Sequence, residues 1–141
     1  MVNLKKLHLE ANLISKISGL DTLINLEELE LSGNRITKIE NLNHQIKLKE
    51  LLLDNNKINK IESLDNLTNL EHLDLSYNQI KEIEGLPNLK NLKILNLSNN
   101  EINKIDKLAD LTSLETLELS GNPISDYSVL ENLRKLKQVS R

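Results

Sequence analysis

The sequence predicts an α/β solenoid, a curved stack of six 22-residue repeats with a parallel β-sheet on its concave side. Short helical or 3-10 turns are expected on the convex side. Two observations predict this fold. Leucines recur in three series with a constant 22-residue step, and an asparagine keeps the same step: Leu4 to Leu114, Leu7 to Leu117, Leu9 to Leu119 and Asn12 to Asn122. No insertion breaks the register, and a fixed period of this length is typical of repeat architectures.

Each repeat carries the pattern of one short strand followed by a return path. The second and third leucines of the repeat are two residues apart, so they lie on one face of a strand while their neighbours face the other way. Six asparagines in register indicate one shared buried environment, in which each amide bonds to backbone groups. Isoleucines and leucines after the asparagine close the core from the convex side. One repeat cannot bury its apolar face alone, so stability must come from neighbouring repeats.

The whole chain, residues 1–141, is expected to form a single domain. The repeats are residues 4–25, 26–47, 48–69, 70–91, 92–113 and 114–135, and a C-terminal cap covers about 123–141. Ser128 and Glu131 have the spacing of a capping box, which predicts a capping helix. No such cap precedes Leu4, so the first turn should expose Leu7, Leu9 and Ile14. An excised fragment, an end-to-end dimer and a tolerated exposed end would each explain this. We favour the fragment, and we expect the chain to be a monomer.

Composition narrows the function classes. The net charge of -3 and the pI near 5.7 give no overall field that attracts nucleic acid or anionic membranes. The absence of cysteine excludes disulfides, zinc-thiolate sites and thiol nucleophiles. The first residues do not resemble a signal peptide, and no long apolar run appears. We therefore expect a cytoplasmic or nuclear protein without a membrane segment.

Gln45 interrupts the convex leucine series, since the other repeats place leucine at the corresponding position. A polar group there must find a partner or reach solvent. Drift on the convex rim and a marked binding or hinge position are the two interpretations, and drift is favoured. We expect Gln45→Leu to raise the thermal stability.

The concave strand face is the predicted binding surface, because solenoids bind through it. Its outward residues include seven carboxylates and one lysine. An acidic wall of this kind would steer a basic protein partner. The candidate polar residues are Glu28, Glu30, Glu50, Asp54, His72, Asp74, Asn96 and Glu118. Leu52, Tyr77 and Ile94 are predicted to form a small apolar anchor on neighbouring strands near the centre of the face.

A basic margin follows the asparagines, so that charge is segregated on a nearly neutral chain. Its members are Lys16, Arg35, Lys38, Lys57, Lys60, Lys81 and Lys104. Ordinary solubilising charges are the alternative interpretation of both charged surfaces.

The sequence favours neither catalysis nor metal binding. His72 with Glu50 and Asp74 is the one cluster worth naming, and a histidine among carboxylates on a solvated sheet is rarely a metal site. No Gly-rich phosphate loop or nucleophile elbow appears. We expect no enzyme activity, no cofactor, no metal and no small-molecule substrate.

The unit L-x-x-L-x-L-x-x-N-x-I resembles the leucine-rich repeat, and stretches such as Leu73–Ile80 resemble the 22-residue repeats of the nuclear regulatory subunit of protein phosphatase 1 and of the leucine-rich axonemal dynein light chain. This resemblance implies a scaffold or regulatory subunit whose partner lies on the concave strands. The matching positions are His8, Glu30, Leu52, Asp74, Asn96 and Glu118.

Two other settings stay open. Secreted internalin-type adhesins share the 22-residue period, but their repeats usually carry a proline near the convex turn, which here only Leu86-Pro87 approaches. The other setting is a recognition domain of a larger multidomain protein, which makes three settings with the intracellular subunit. The sequence of the full-length gene would separate the three.

Overall fold

The computed structural model describes residues 3–86 and 88–141, which form a seven-stranded parallel sheet. The strands are stacked in chain order, and residues 22 apart are paired, as Leu7 is with Leu29. The strands are β1 Lys6–His8, β2 Glu28–Glu30, β3 Glu50–Leu52, β4 His72–Asp74, β5 Ile94–Asn96, β6 Thr116–Glu118 and β7 Gln138–Ser140. The predicted solenoid with a parallel concave sheet is confirmed.

Each strand has three residues, of which the central side chain points toward the core. In β2 to β6 that residue is a fully buried leucine, and its two neighbours face the concave surface. Leucines and isoleucines from both walls fill the interior, as the scarcity of aromatic residues requires. Two 3-10 helices, Asp106–Asp110 and Ser128–Asn132, lie on the convex return path. Across the described ranges, no helix has the length and apolar character needed to cross a membrane.

The buried asparagines form the predicted ladder. Asn56 is typical: its Nδ2 donates to the carbonyl oxygens of Leu31 at 3.0 Å and Leu53 at 3.1 Å, and its Oδ1 accepts from the Ile36 N–H at 2.9 Å. The amide therefore joins the backbone of its own repeat to that of the preceding repeat. The same arrangement recurs at Asn34, Asn78, Asn100 and Asn122.

The C-terminal cap differs from the predicted capping helix. Ser128–Asn132 is a short 3-10 helix whose N-cap is Tyr127, without a side-chain capping bond, while the Ser128 N–H donates to Asp126 Oδ1 at 2.8 Å. This segment repeats the 3-10 helix found 22 residues earlier and leads into β7. The chain continues the solenoid here because Leu136 and Val139 extend two of the leucine series by one more step.

The first repeat is only partly exposed, less than predicted. Leu7, Leu9 and Ile14 are half-buried, and Leu13 is 71% exposed. The corresponding leucines and isoleucines of the second repeat are buried, because repeats cover them from both sides.

Gln45 is fully buried in the convex row of the core. Its Nε2 donates to the Leu20 carbonyl oxygen at 2.7 Å, whereas its Oε1 is buried without a partner among the described residues. The side chain therefore satisfies only its donor side.

Candidate functional site

The concave face consists of three rows of side chains. Neighbouring positions along a row are about 4.8 Å apart, the usual spacing of paired strands. The first row holds Lys6, Glu28, Glu50, His72, Ile94, Thr116 and Gln138, and the second holds His8, Glu30, Leu52, Asp74, Asn96, Glu118 and Ser140. The third, just beyond the strands, holds Glu10, Ser32, Asp54, Ser76, Ser98 and Ser120.

The carboxylates of the first row have basic partners within the face. Glu28 Oε2 lies 2.6 Å from Lys6 Nζ, and Glu28 Oε1 lies 2.6 Å from His8 Nε2. The hydrogen bond from Lys6 lowers the pKa of Glu28, and the bond from His8 adds to the effect. Glu50 Oε1 lies 3.0 Å from His72 Nδ1. This row is therefore partly neutralised at its N-terminal end.

The carboxylates near the centre of the face are held by neutral donors. Asp74 Oδ1 accepts from the Ser76 backbone N–H at 2.9 Å and from its hydroxyl at 2.6 Å, while Oδ2 accepts from Asn96 Nδ2 at 3.1 Å. Asp54 accepts from the Ser32 hydroxyl and, at 2.7 Å, from Asn55 Nδ2. Neutral donors fix the orientation of a carboxylate and leave its negative charge in place.

Glu30 and Glu118 have neither an ion pair nor a side-chain hydrogen bond within the described part of the chain. Both are half-buried in the second row, on β2 and β6. Four strand spacings separate them, about 19 Å. With Asp54 and Asp74 between them, they define the "acidic centre" of the face: Glu30, Asp54, Asp74 and Glu118.

The predicted apolar anchor does not assemble. Leu52 is half-buried on β3, and Ile94 is 39% exposed on β5 in a different row, so β4 separates them. Tyr77 follows β4 in a turn with a positive φ of 53° and is not on a strand. Leu52 and Ile94 are therefore not on neighbouring strands, because they lie almost two repeats apart in the 22-residue register.

The cluster of His72, Glu50 and Asp74 does not converge either. Glu50 bonds to His72, whereas Asp74 bonds to Ser76 and Asn96. Within residues 3–86 and 88–141, no group of three or more histidines and carboxylates is placed to hold a metal ion.

A ladder of alternating charge, which we did not predict, runs beside the concave face. The residue preceding each strand is lysine and glutamate in turn: Lys5, Glu27, Lys49, Glu71, Lys93, Glu115 and Lys137. We call these seven residues the charge ladder. Its alternation at 22-residue steps is readable in the sequence once the strands are aligned.

Ion pairs join most steps of the charge ladder. Glu27 contacts both Lys5 and Lys49 at 2.9 Å, and Lys93 reaches Glu71 at 2.7 Å. The hydrogen bond from Lys49, followed by that from Lys5, lowers the pKa of Glu27 to about 2. Lys137 contacts Glu115 at 2.6 Å. This edge of the sheet is therefore neutralised internally, unlike the acidic centre.

Comparison with known families decides the identity of the repeat. The sequence profile for leucine-rich repeats, described as two copies, matches residues 2–44, 46–88 and 90–132. The chain belongs to the leucine-rich-repeat family. Proteins built from these repeats are generally protein-interaction modules with extended concave binding surfaces.

Solved structures from two bacteria are similar to the chain. Internalin C2 of Listeria monocytogenes is 34% identical, with a TM-score of 0.84 over 98% of this chain and 71% of its own. A leucine-rich-repeat protein of Leptospira interrogans is 31% identical, with a TM-score of 0.90 over 99% of this chain and 37% of its own. An internalin (inlF) of Listeria monocytogenes is 30% identical, with a TM-score of 0.69 over 96% of this chain and 46% of its own.

The chain thus spans less than half of the second and third of these proteins. A search of curated proteins found no match.

Proposed function

We propose that this chain is a non-enzymatic protein-interaction module that binds a basic partner on its concave face, as a scaffold or regulatory subunit. The observation that carries the proposal is the acidic centre, whose four carboxylates keep their charge uncompensated by any lysine or arginine among the described residues. Membership in the leucine-rich-repeat family supports protein binding as the general role.

The distribution of charge supports a basic partner. The charge ladder and the ion pair of Lys6 with Glu28 neutralise one side of the face. The acidic centre therefore presents the strongest local negative charge to an approaching protein. Complementary charge accelerates association and excludes partners of the same sign. Leu52 and Ile94 add separate apolar contacts beside it.

Affinity capture from the source lysate tests this role, with a triple variant beside the wild-type chain. The variant carries Glu30→Lys, Asp74→Lys and Glu118→Lys. A control carries Asp21→Lys, Asp65→Lys and Asp110→Lys, which change the net charge equally at exposed positions of the convex side. Circular dichroism melts first establish that all three proteins fold.

We expect the wild-type chain to capture proteins that the concave variant fails to capture and that the control still captures. Equal capture by all three proteins would contradict a concave site. Equal loss with both variants would reduce the role of the acidic centre to net charge alone.

The cellular setting is part of the proposal. A cytoplasmic or nuclear regulatory subunit follows from the repeats that resemble those of the phosphatase and dynein subunits. A second candidate is a segment of a secreted or surface adhesin, favoured by the similarity to two internalins of Listeria monocytogenes. A third is the recognition domain of a larger multidomain protein, in keeping with the greater length of those relatives.

Protease treatment of intact source cells separates the first two settings. An epitope-tagged chain that is degraded while a cytoplasmic marker survives indicates a surface protein. A chain protected until lysis indicates an intracellular one. Sequencing the full-length gene decides whether further domains accompany the repeats.

A further inference from the structure

A second charged surface lies on the first three repeats, just beyond the asparagine ladder. It consists of the exposed cations Lys16, Arg35, Lys38, Lys57 and Lys60, which we call the basic patch. At the corresponding positions of the fourth and fifth repeats, Gln79, Glu82 and Glu101 interrupt the positive charge. The basic patch is therefore confined to one half of the solenoid.

Backbone pairing holds these cations in register. The Arg35 N–H donates to the Ile14 carbonyl oxygen at 2.8 Å, and the Lys57 N–H donates to that of Ile36 at 2.8 Å. Successive repeats therefore keep a strand-like separation of about 4.8 Å at these positions. Arg35 and Lys57 form one row of like charges, and Lys16, Lys38 and Lys60 form another.

The charge ladder shows how charges stacked at the same spacing can neutralise each other. There the sign alternates at each step, and Glu27 binds a lysine on either side. In the basic patch no step alternates, so like charges stand on neighbouring turns of the solenoid and repel each other. The patch thus carries an electrostatic cost that the chain avoids a short distance away.

Carboxylates on the neighbouring convex segment relieve only part of this charge. Lys60 lies 3.1 Å from Glu84, and Lys38 lies 4.0 Å from Glu62. The half-buried Glu40 follows Lys16 at the same sequence spacing as Glu62 follows Lys38, but no ion pair joins Glu40 to Lys16.

Lys16, Arg35 and Lys57 have no ion pair within the described part of the chain. Leu13, which is 71% exposed, occupies the repeat position of Arg35 one repeat earlier. An uncompensated set of cations therefore stands beside an exposed apolar side chain.

We infer that the basic patch, with Leu13 at its end, is a second docking surface that binds an acidic peptide segment carrying an apolar side chain. Carboxylates of such a segment would stand against Arg35 and Lys57, with its apolar side chain on Leu13. Single-stranded nucleic acid is disfavoured, since the patch has no aromatic side chain on which a base could stack. A membrane is disfavoured, since one leucine is not an apolar face.

Fluorescence anisotropy with a labelled peptide tests this surface on the full chain. The probe is an eleven-residue peptide of glutamates around a central leucine, which is longer than the roughly 10 Å that three repeats span. One variant carries Lys16→Glu, Arg35→Glu and Lys57→Glu. The matched control carries Lys104→Glu, Lys107→Glu and Lys135→Glu, which give the same change in net charge on the later repeats.

We expect the basic-patch variant to weaken peptide binding at least about tenfold and the control to weaken it less than about threefold. A parallel Lys16→Gln, Arg35→Gln and Lys57→Gln variant, less demanding on folding, should also lose binding. A concave variant without added cations, Glu30→Gln, Asp74→Asn and Glu118→Gln, should bind the probe no less tightly than the wild type, which separates this surface from the proposed concave site.

Three outcomes would overturn the inference. The first is no peptide binding by the wild-type chain at low salt. The second is equal weakening by the patch variant and its control, which reduces binding to net charge. The third is stronger binding to single-stranded RNA or to vesicles containing phosphatidylserine than to the peptide.

Discussion

The first and fourth repeats carry the same pattern of leucines and asparagine but have different surroundings. Leu73 and Asn78 of the fourth repeat are buried between neighbours, whereas Leu7 is half-buried and Asn12 is exposed in the first. Asn12 donates to the carbonyl oxygens of Leu9 and Glu10 in its own turn, and the described chain offers it no earlier repeat to join. The same side chain therefore contributes to stability according to whether it has neighbours on both sides.

Truncation of a core leucine should give the largest difference between the two repeats. We expect Leu73→Ala to lower the free energy of unfolding by about 4 kcal/mol, because it leaves a cavity in a fully buried row. Leu7→Ala should cost less than about half of that, because its side chain already reaches solvent. Urea unfolding followed by circular dichroism measures both. Equal losses would mean that the first repeat is packed as tightly as the fourth.

Removal of the ladder amide should give the next largest difference. Asn78 Nδ2 donates to three carbonyl oxygens, and its Oδ1 accepts from the Ile58 N–H at 2.9 Å. We expect Asn78→Ala to cost about 3 kcal/mol, since buried backbone groups lose their partners, and Asn12→Ala to cost less than about 1 kcal/mol. The same urea series tests this, and an Asn12→Ala loss as large as that of Asn78→Ala would contradict it.

Gln45 offers a smaller change of the opposite sign. We expect Gln45→Leu to raise the free energy of unfolding by about 1 kcal/mol, since it removes a buried oxygen that has no partner in the described part of the chain. The Leu20 carbonyl oxygen keeps the Leu23 N–H at 2.8 Å. The matched control is Leu67→Gln, which places the same amide one repeat later and should destabilise. A lowered thermal midpoint for Gln45→Leu would show that the bond to Leu20 outweighs the unpaired oxygen.

The smallest effect concerns pH and the ion pairs that join the first repeats. The pKa of Glu27 is lowered from 4.5 to about 2, so its contribution to stability is present above pH 4.5 and is lost as the pH falls through about 2. We expect Glu27→Gln to flatten the thermal midpoint against pH in this window. Glu131→Gln, an exposed carboxyl without an ion pair in the described chain, is the control. An unchanged slope for Glu27→Gln would show that solvent screens these pairs completely.

The fold could be predicted from the sequence because its period is repeated without interruption. Each step of 22 residues places a leucine on a leucine and an asparagine on an asparagine, so the register is determined many times over. The seventh strand was missed because Val139 replaces leucine in the series and the spacing from Ser128 to Glu131 resembles a capping box. Strand stacking prevailed there over the local helix signal.

The candidate site could be predicted only in part. The excess of acidic residues on the concave face follows from the repeat pattern. The repeat pattern does not show which of these carboxylates have basic partners. The partners of Glu28 and Asp74 lie on adjacent strands or turns, and contact with them depends on side-chain reach. The apolar anchor failed for a related reason: Leu52 and Ile94 belong to different rows separated by β4.

The sequence by itself determined the solenoid, the buried ladder, the aliphatic core and the sign of charge on each surface, since a strict period repeats every local choice. Only the tertiary structure decided which charges remain uncompensated. Among the described residues it leaves Glu30 and Glu118 without basic partners on the concave face, and it brings lysines against Glu27 on the neighbouring edge. The physical reason is that burial and ion pairing depend on distances between side chains in adjacent repeats, which the order of residues alone does not specify.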